Sequence, residues 1–205
     1  MERIRYSAVP IFIDALNDSD AWVRGQAAGM LIRCGQAETL VKIGEAAVPA
    51  LIDALRTEGG SWVSYPRDNA IWSLSKIGEP AVPKLVTALK DSNWGVRSGA
   101  AQALERIGDN AVPALVSTLK DSDWQVRVLV ASLLRKIRNK SAVPALIDAL
   151  KDDDERVRCM IAWALEEIGG VSALEAAECE YHSHSDRCFC RSRHRVSWKL
   201  RCASP

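Results

Sequence analysis

Histidine is missing from the first 181 residues; His182, His184 and His194 all lie near the C-terminal end. The commonest general base and metal ligand is therefore absent from most of the chain. A Ser-His-Asp or Cys-His catalytic arrangement is excluded there for the same reason. No Gly-rich phosphate loop or dinucleotide fingerprint is present. No stretch alternates apolar and polar residues as a half-buried strand would. No apolar run is long enough to cross a bilayer, and no signal peptide is recognised. Cysteine is scarce before Cys179: Cys34 and Cys159 stand alone in helical stretches and read as buried free thiols. The expected compartment is the cytoplasm, with thiols reduced.

What is present is a recurring phrase. It reads Ser-Ala-Val-Pro-Ile from Ser7, Ala-Ala-Val-Pro-Ala from Ala46 and Pro-Ala-Val-Pro-Lys from Pro80. It returns as Asn-Ala-Val-Pro-Ala from Asn110 and Ser-Ala-Val-Pro-Ala from Ser141. Each copy opens a block of roughly thirty to forty residues, a period that signals stacked supersecondary units. In the fourth block Val112, Leu115, Val116 and Leu119 recur at helical spacing, with Pro113 in the first turn, where its missing N–H costs nothing. Asp121-Ser122-Asp123 ends that helix, and Asp123 is placed to cap the next. The second helix is expected to bury Val126, Val130, Leu133, Leu134 and Ile137. Gly108 and Gly169 follow the last apolar residue of their blocks, as helix stops. Each block is a helical hairpin that cannot bury its own apolar face, so the fold expected is all-α, an α-solenoid of about five hairpins.

A second regularity runs in register with the first. An Asp follows the Pro at a fixed distance, and a Val-Arg pair follows the Asp. The sets are Pro10, Asp18, Val23, Arg24; Pro83, Asp91, Val96, Arg97; Pro113, Asp121, Val126, Arg127; and Pro144, Asp152, Val157, Arg158. This spacing resembles the HEAT repeat. The short unit and the small residues after the Arg (Ala27-Ala28, Ala100-Ala101) are most similar to the HEAT-like repeat of the bilin-lyase (phycobilisome lyase) type. The resemblance covers residues 7 to 170 and implies that these Asp and Arg side chains form a structural ladder between neighbouring repeats. The absence of His-Glu pairs speaks against deoxyhypusine hydroxylase, a HEAT-like enzyme.

The pattern predicts a repeat solenoid over residues 1–178, with repeats near 7–35, 45–78, 79–108, 109–138 and 139–170 and a partial sixth over 171–178. It breaks in the second block, where Thr57 replaces the Asp and an insertion runs from Glu58 to Pro66 before Arg67 resumes the helix. The ladder is expected to be interrupted there. A further insertion, Gln36 to Gly44, should add a turn or two of helix. Residues 179–205 form a Cys/His/Arg-rich tail expected to be disordered or out of register. Residues 181–205 carry a net +5, which leaves residues 1–180 at −4 within the chain's +1. Cys179, His182, Cys188, Cys190 and His194 are possible zinc ligands, but their spacing matches no standard site, so no metal is expected.

In a HEAT-like array the second helices line the concave side, as the resemblance implies. Nine residues after each repeat Arg come Arg33, Lys76, Arg106, Lys136 and then Glu167, a basic row on an otherwise acidic solenoid. Trp72, Leu129, Met160 and Trp163 lie beside it and are expected to be exposed, a combination suited to binding. Trp22, Trp94 and Trp124 sit near helix N-caps and are expected to cover the turns. The function expected is a non-enzymatic protein–protein scaffold without cofactor, holding an acidic or amphipathic partner segment. The alternative is a bilin lyase or chromophore-handling subunit, in which the row meets the propionates of a tetrapyrrole. Nucleic-acid binding is the weaker alternative, because the solenoid is acidic. No membrane association is expected.

Overall fold

The computed structural model describes residues 9–34, 36–56 and 64–169. Among these the chain is helical throughout, with no strand. The helices are α1 (Val9–Ala15), α2 (Ala21–Arg33), α3 (Ala37–Ile43), α4 (Val48–Ala54), α5 (Ser64–Ile77) and α6 (Val82–Ala88). They continue with α7 (Trp94–Ile107), α8 (Val112–Thr118), α9 (Trp124–Ile137), α10 (Val143–Ala149) and α11 (Glu155–Gly169). Five short-long hairpins result: α1/α2, α4/α5, α6/α7, α8/α9 and α10/α11. The insertion after the first hairpin is the seven-residue helix α3. Helix α5 starts at Ser64, three residues before Arg67, because Pro66 is tolerated in a first helical turn. The expected partial sixth hairpin and the 179–205 tail lie outside the described residues.

Punctuation chemistry sets each hairpin. Asp20, Asn93 and Asp123 cap the long helices by accepting the backbone N–H of Trp22, Val96 and Gln125. Gly44, Gly78 and Gly108 end α3, α5 and α7 with φ of +69°, +75° and +70°, a conformation that costs glycine nothing. In the fourth repeat Arg138 ends α9 in the left-handed helical conformation, φ +60° and ψ 27°, whereas the three glycines have ψ between −136° and −130°. A short 3-10 turn then leads into the next Val-Pro, with Pro49, Pro83, Pro113 and Pro144 in the first turn of their helices.

The core is one continuous ribbon of Leu, Ala, Val and Ile from Leu16 to Ile168. Val126, Val130, Leu133 and Leu134 are buried as their periodicity predicts, and Ile137 is half-buried at the edge. Backbones approach closely where the stack requires it: a Cβ on Gly95 would lie 2.9 Å from the Leu55 carbonyl oxygen in the repeat before. The two thiols differ from expectation, since Cys34 and Cys159 are half-buried rather than buried.

Candidate functional site

The register charges are consumed by the stack. Arg24, Arg97, Arg127 and Arg158 each reach back over their own hairpin turn to two carbonyl oxygens. Arg127, for example, donates from Nη1 to Asp121 O at 2.7 Å and Ser122 O at 3.1 Å. The repeat Asp accepts the backbone N–H two residues on, which shapes that turn: Asp18 from Asp20, Asp91 from Asn93, Asp121 from Asp123 and Asp152 from Asp154.

Across repeat boundaries the ladder has several forms. Arg127 holds Asp152 through Nε at 2.6 Å and Nη2 at 2.8 Å. Hydrogen bonding to Asp152 drives the Arg127 pKa upward. Asp121 instead pairs with Lys90, at the end of the preceding first helix. Burial opposes the charge of Asp121, but Lys90 and the Asp123 N–H outweigh it and lower its pKa. Arg97 and Arg158 make no inter-repeat ion pair among the described residues.

The interruption expected at Thr57 does not occur. Asp53, one helical turn earlier, accepts Arg24 at 2.9 Å, and Arg56 bridges from Asp53 at 3.6 Å to Asp91 at 2.6 Å. A carboxylate one turn upstream reaches the same gap, so the chain of charges passes through. Burial raises the Asp53 pKa in spite of the two neighbouring guanidinium groups.

The second-helix face differs from expectation in detail. Lys76, Arg106 and Lys136 are exposed in three successive repeats; the Arg33 side chain lies outside the described set. Of the four apolar side chains expected to be exposed, only Trp163 is, at 44 %. Trp72 is half-buried, and Leu129 and Met160 are half-buried against the core. Leu129 and Met160 sit seven residues before the charged column, two helical turns back, which carries them toward the apolar stripe.

The row is also partly neutralised. Lys136 Nζ binds Glu105 Oε2 at 2.7 Å. Arg135 binds Glu167 Oε1 at 2.7 Å and lies 3.9 Å over the Trp163 ring. Arg138 adds a contact to Glu167 at 3.3 Å. Burial disfavours the charged Glu167, yet Arg135 and Arg138 together hold its pKa below the usual carboxylate value. The sequence carries a signal for these pairs that the single column conceals. The residue eight after each repeat Arg contacts the residue nine after the next repeat Arg: Glu105 with Lys136, and Arg135 with Glu167. Ser75 stands in the eighth place before Arg106 and offers no carboxylate. Arg106 consequently has no ion-pair or ring partner among the described residues, while Lys76 lies 5.8 Å over the Trp72 ring.

The turn edge is the other surface. Trp22 and Trp94 do not cover the turns: they are 71 % and 68 % exposed. Their positions at the start of second helices point them outward from the stack. Trp124 is half-buried because Arg156 of the next repeat lies over its ring, 3.2 Å from the centroid. Arg67 sits 5.5 Å over Trp94 and donates to Gly95 O at 3.1 Å.

Two open clefts are present among the described residues, one of about 310 Å³ between α6 and α8 and one of about 250 Å³ beside Asp91 and Gln125 that reaches Leu129. No group of carboxylate, thiol or imidazole ligands suited to a metal occurs among the described residues. No helix among them is long and apolar enough to cross a membrane.

The chain was compared with known proteins. No curated protein matches the chain. Among solved structures, an engineered protein is 23 % identical, covering 83 % of this chain and 85 % of that one, with a TM-score of 0.44. The complex of CpcE and CpcF of phycocyanin lyase from a Nostoc species is 30 % identical, covering 78 % of this chain and 64 % of that one, with a TM-score of 0.41. The family model for HEAT repeats matches residues 48–121 and 112–179. The chain belongs to the HEAT-repeat family.

Proposed function

We propose that this chain is a non-enzymatic scaffold that binds an acidic segment of a partner protein along its second helices. Arg106 carries the reading. It is exposed, it lies between Lys76 and Lys136, and no carboxylate among the described residues answers it. The internal pairs elsewhere on this face show what the geometry does with an available carboxylate. A partner that supplies one opposite Arg106 completes the series. Trp163, held flat by Arg135, offers an apolar contact at the far end of the same face. Solenoid faces of this kind serve as extended binding surfaces, which favours a protein segment over a small substrate.

The test is affinity capture from native lysate on the immobilised chain, beside a Lys76→Glu/Arg106→Glu variant of equal helicity. Those two positions are chosen because reversing Lys136 would break its pair with Glu105 and disturb the stack. A protein retained by the parent and lost by the variant supports the scaffold. The same proteins on both, or none on either, removes the row from consideration.

A second reading, a tetrapyrrole-handling subunit, draws on the pairing of cations with indoles at Lys76/Trp72 and Arg135/Trp163. Such pairs suit a flat macrocycle bearing propionates. Mixing with biliverdin would then shift the visible band, and an unchanged spectrum at saturating concentration discards this reading.

A further inference from the structure

The turn edge contains the same arrangement twice, once filled and once not. In the filled copy, Arg156 lies on the Trp124 ring at 3.2 Å from its centroid and forks onto the N-cap carboxylate of its own helix. Its Nε meets Asp154 Oδ1 at 3.0 Å, and Nη2 meets Asp154 Oδ2 at 2.6 Å. A planar guanidinium satisfies both demands at once, stacking on an indole while it donates in a fork to a carboxylate. An ammonium satisfies neither geometry as well.

One repeat earlier both halves are retained. Trp94 corresponds to Trp124, and Asp123 corresponds to Asp154. The arginine is replaced by Gln125, which is exposed and carries no charge. Asp123 is exposed and spends one oxygen on the Gln125 N–H; no cation pairs with it among the described residues. Trp94 is 68 % exposed. Arg67 approaches it from the preceding repeat and is anchored to the Gly95 carbonyl, so the approach from the following repeat is unfilled.

We propose that Trp94 and Asp123 form a receptor for an arginine side chain on a basic segment of a partner protein, in the place that Arg156 fills one repeat later. Charge complementarity selects a basic segment. Asp91, Asp121 and Asp154 on this edge are already paired with Arg56, Lys90 and Arg156, whereas Asp123 and Asp153 are exposed with no ion-pair partner among the described residues, and the described solenoid belongs to a region with net charge −4. The receptor is separate from the row around Arg106. Trp94 and Arg106 stand twelve residues apart on α7, about 18 Å along the helix axis. The two surfaces therefore take segments of opposite charge.

The probe is a fluorescein-labelled peptide of four arginines alternating with serine, beside its lysine counterpart. Anisotropy would be read on the full chain at low salt. Stacking and one fork are each modest at an exposed site, so Trp94→Ala and Asp123→Asn should each weaken the arginine peptide about three- to tenfold. Asp123→Asn keeps the helix cap, as Asn93 does in the preceding repeat. Gln125→Arg should weaken it similarly by filling the place from within, with circular dichroism unchanged. The arginine peptide should bind several-fold more tightly than the lysine peptide.

Equal binding of the two peptides, insensitive to all three substitutions, would reduce the edge to diffuse charge attraction and overturn the proposal. Absence of any binding would also overturn it. In a further arm Arg191, Arg193 and Arg195 become serine. If the peptide binds only to that variant, the chain's own C-terminal arginines occupy the receptor and the assignment to a partner falls.

Discussion

Arg97 and Arg127 occupy the same place in adjacent repeats, yet only one of them closes an inter-repeat ion pair among the described residues, which makes them a matched experiment. Both donate to two carbonyl oxygens of their own turn at 2.7 to 3.1 Å. Replacing either by alanine removes those bonds. Arg127→Ala additionally strips Asp152 of a forked partner in a place where the two side chains are only 13 % and 9 % exposed. Fully buried pairs cost about 3–5 kcal/mol when one partner is removed, and exposed pairs about 0–1 kcal/mol. A mostly buried pair at the rim lies between, so Arg127→Ala should exceed Arg97→Ala by about 1–2 kcal/mol.

Repeat arrays respond locally, since each unit leans on its neighbours alone. The loss should therefore concentrate in α10 and α11. Native-state hydrogen exchange of α11 should quicken about tenfold per 1.4 kcal/mol, with α5 unaffected. A double-mutant cycle with Asp152→Asn, which keeps an acceptor for the Asp154 N–H, isolates the pair. A coupling below about 0.3 kcal/mol would show that the ladder contributes nothing measurable and that the repeated charges need another explanation.

Three further outcomes are expected. Ser73 is fully buried with no hydrogen-bond partner for its hydroxyl among the described residues, and Ala103 and Ala164 hold the equivalent places. Ser73→Ala should raise stability by about 1 kcal/mol in urea unfolding, and a loss would reveal a partner for the hydroxyl. Arg138 holds a left-handed backbone at the end of its long helix, where two other repeats place Gly78 and Gly108, also at positive φ. Arg138→Gly should raise the thermal midpoint, because the relieved strain of about 1 kcal/mol exceeds the value of an exposed ion pair. Asp154 is held at about 2, against an ordinary 3.8, chiefly by its hydrogen bonds from Arg156. A depressed carboxyl contributes stability above the ordinary value and loses it as pH falls toward about 2. NMR titration should place the Asp154 midpoint there, and Arg156→Ala should move it upward.

The fold was legible because repetition multiplies weak local signals. One Val-Pro or one Asp-x-x-x-x-Val-Arg says little, but the same phrases in register leave no other architecture that buries every stripe. Side-chain exposure was less legible because a column in sequence fixes only the direction from a straight helix. Trp72, Leu129 and Met160 lie on the shoulder of their helices, where the packing of the neighbour decides burial, and no single repeat contains that information. The pairs Glu105–Lys136 and Arg135–Glu167 were missed for a related reason: they join adjacent columns across repeats rather than positions within one. The continuity of the ladder through Asp53 required knowing that one helical turn upstream reaches the same gap.

These differences bear on where function can reside. Residues that recur in register are committed: the Asp, where present, shapes a turn, the Arg that follows it ties that turn down, and the apolar stripe fills the core. None can be altered for a partner without loosening a turn, a junction or the core. Freedom lies where the repeats disagree. Ser75 in place of a glutamate leaves Arg106 unanswered, and Gln125 in place of an arginine leaves Trp94 and Asp123 unanswered. Both departures remove one member of an interaction that a neighbouring repeat retains, and in both the remaining members are exposed. An array that completes a contact in one repeat and omits one member in the next displays the chemistry of the missing group: a carboxylate opposite Arg106 and a guanidinium between Trp94 and Asp123. Filling either place from within, by Ser75→Glu or Gln125→Arg, should add an internal contact and abolish the corresponding binding. Loss of binding at an unimpaired fold is the combination that separates a recognition surface from a merely solvated one.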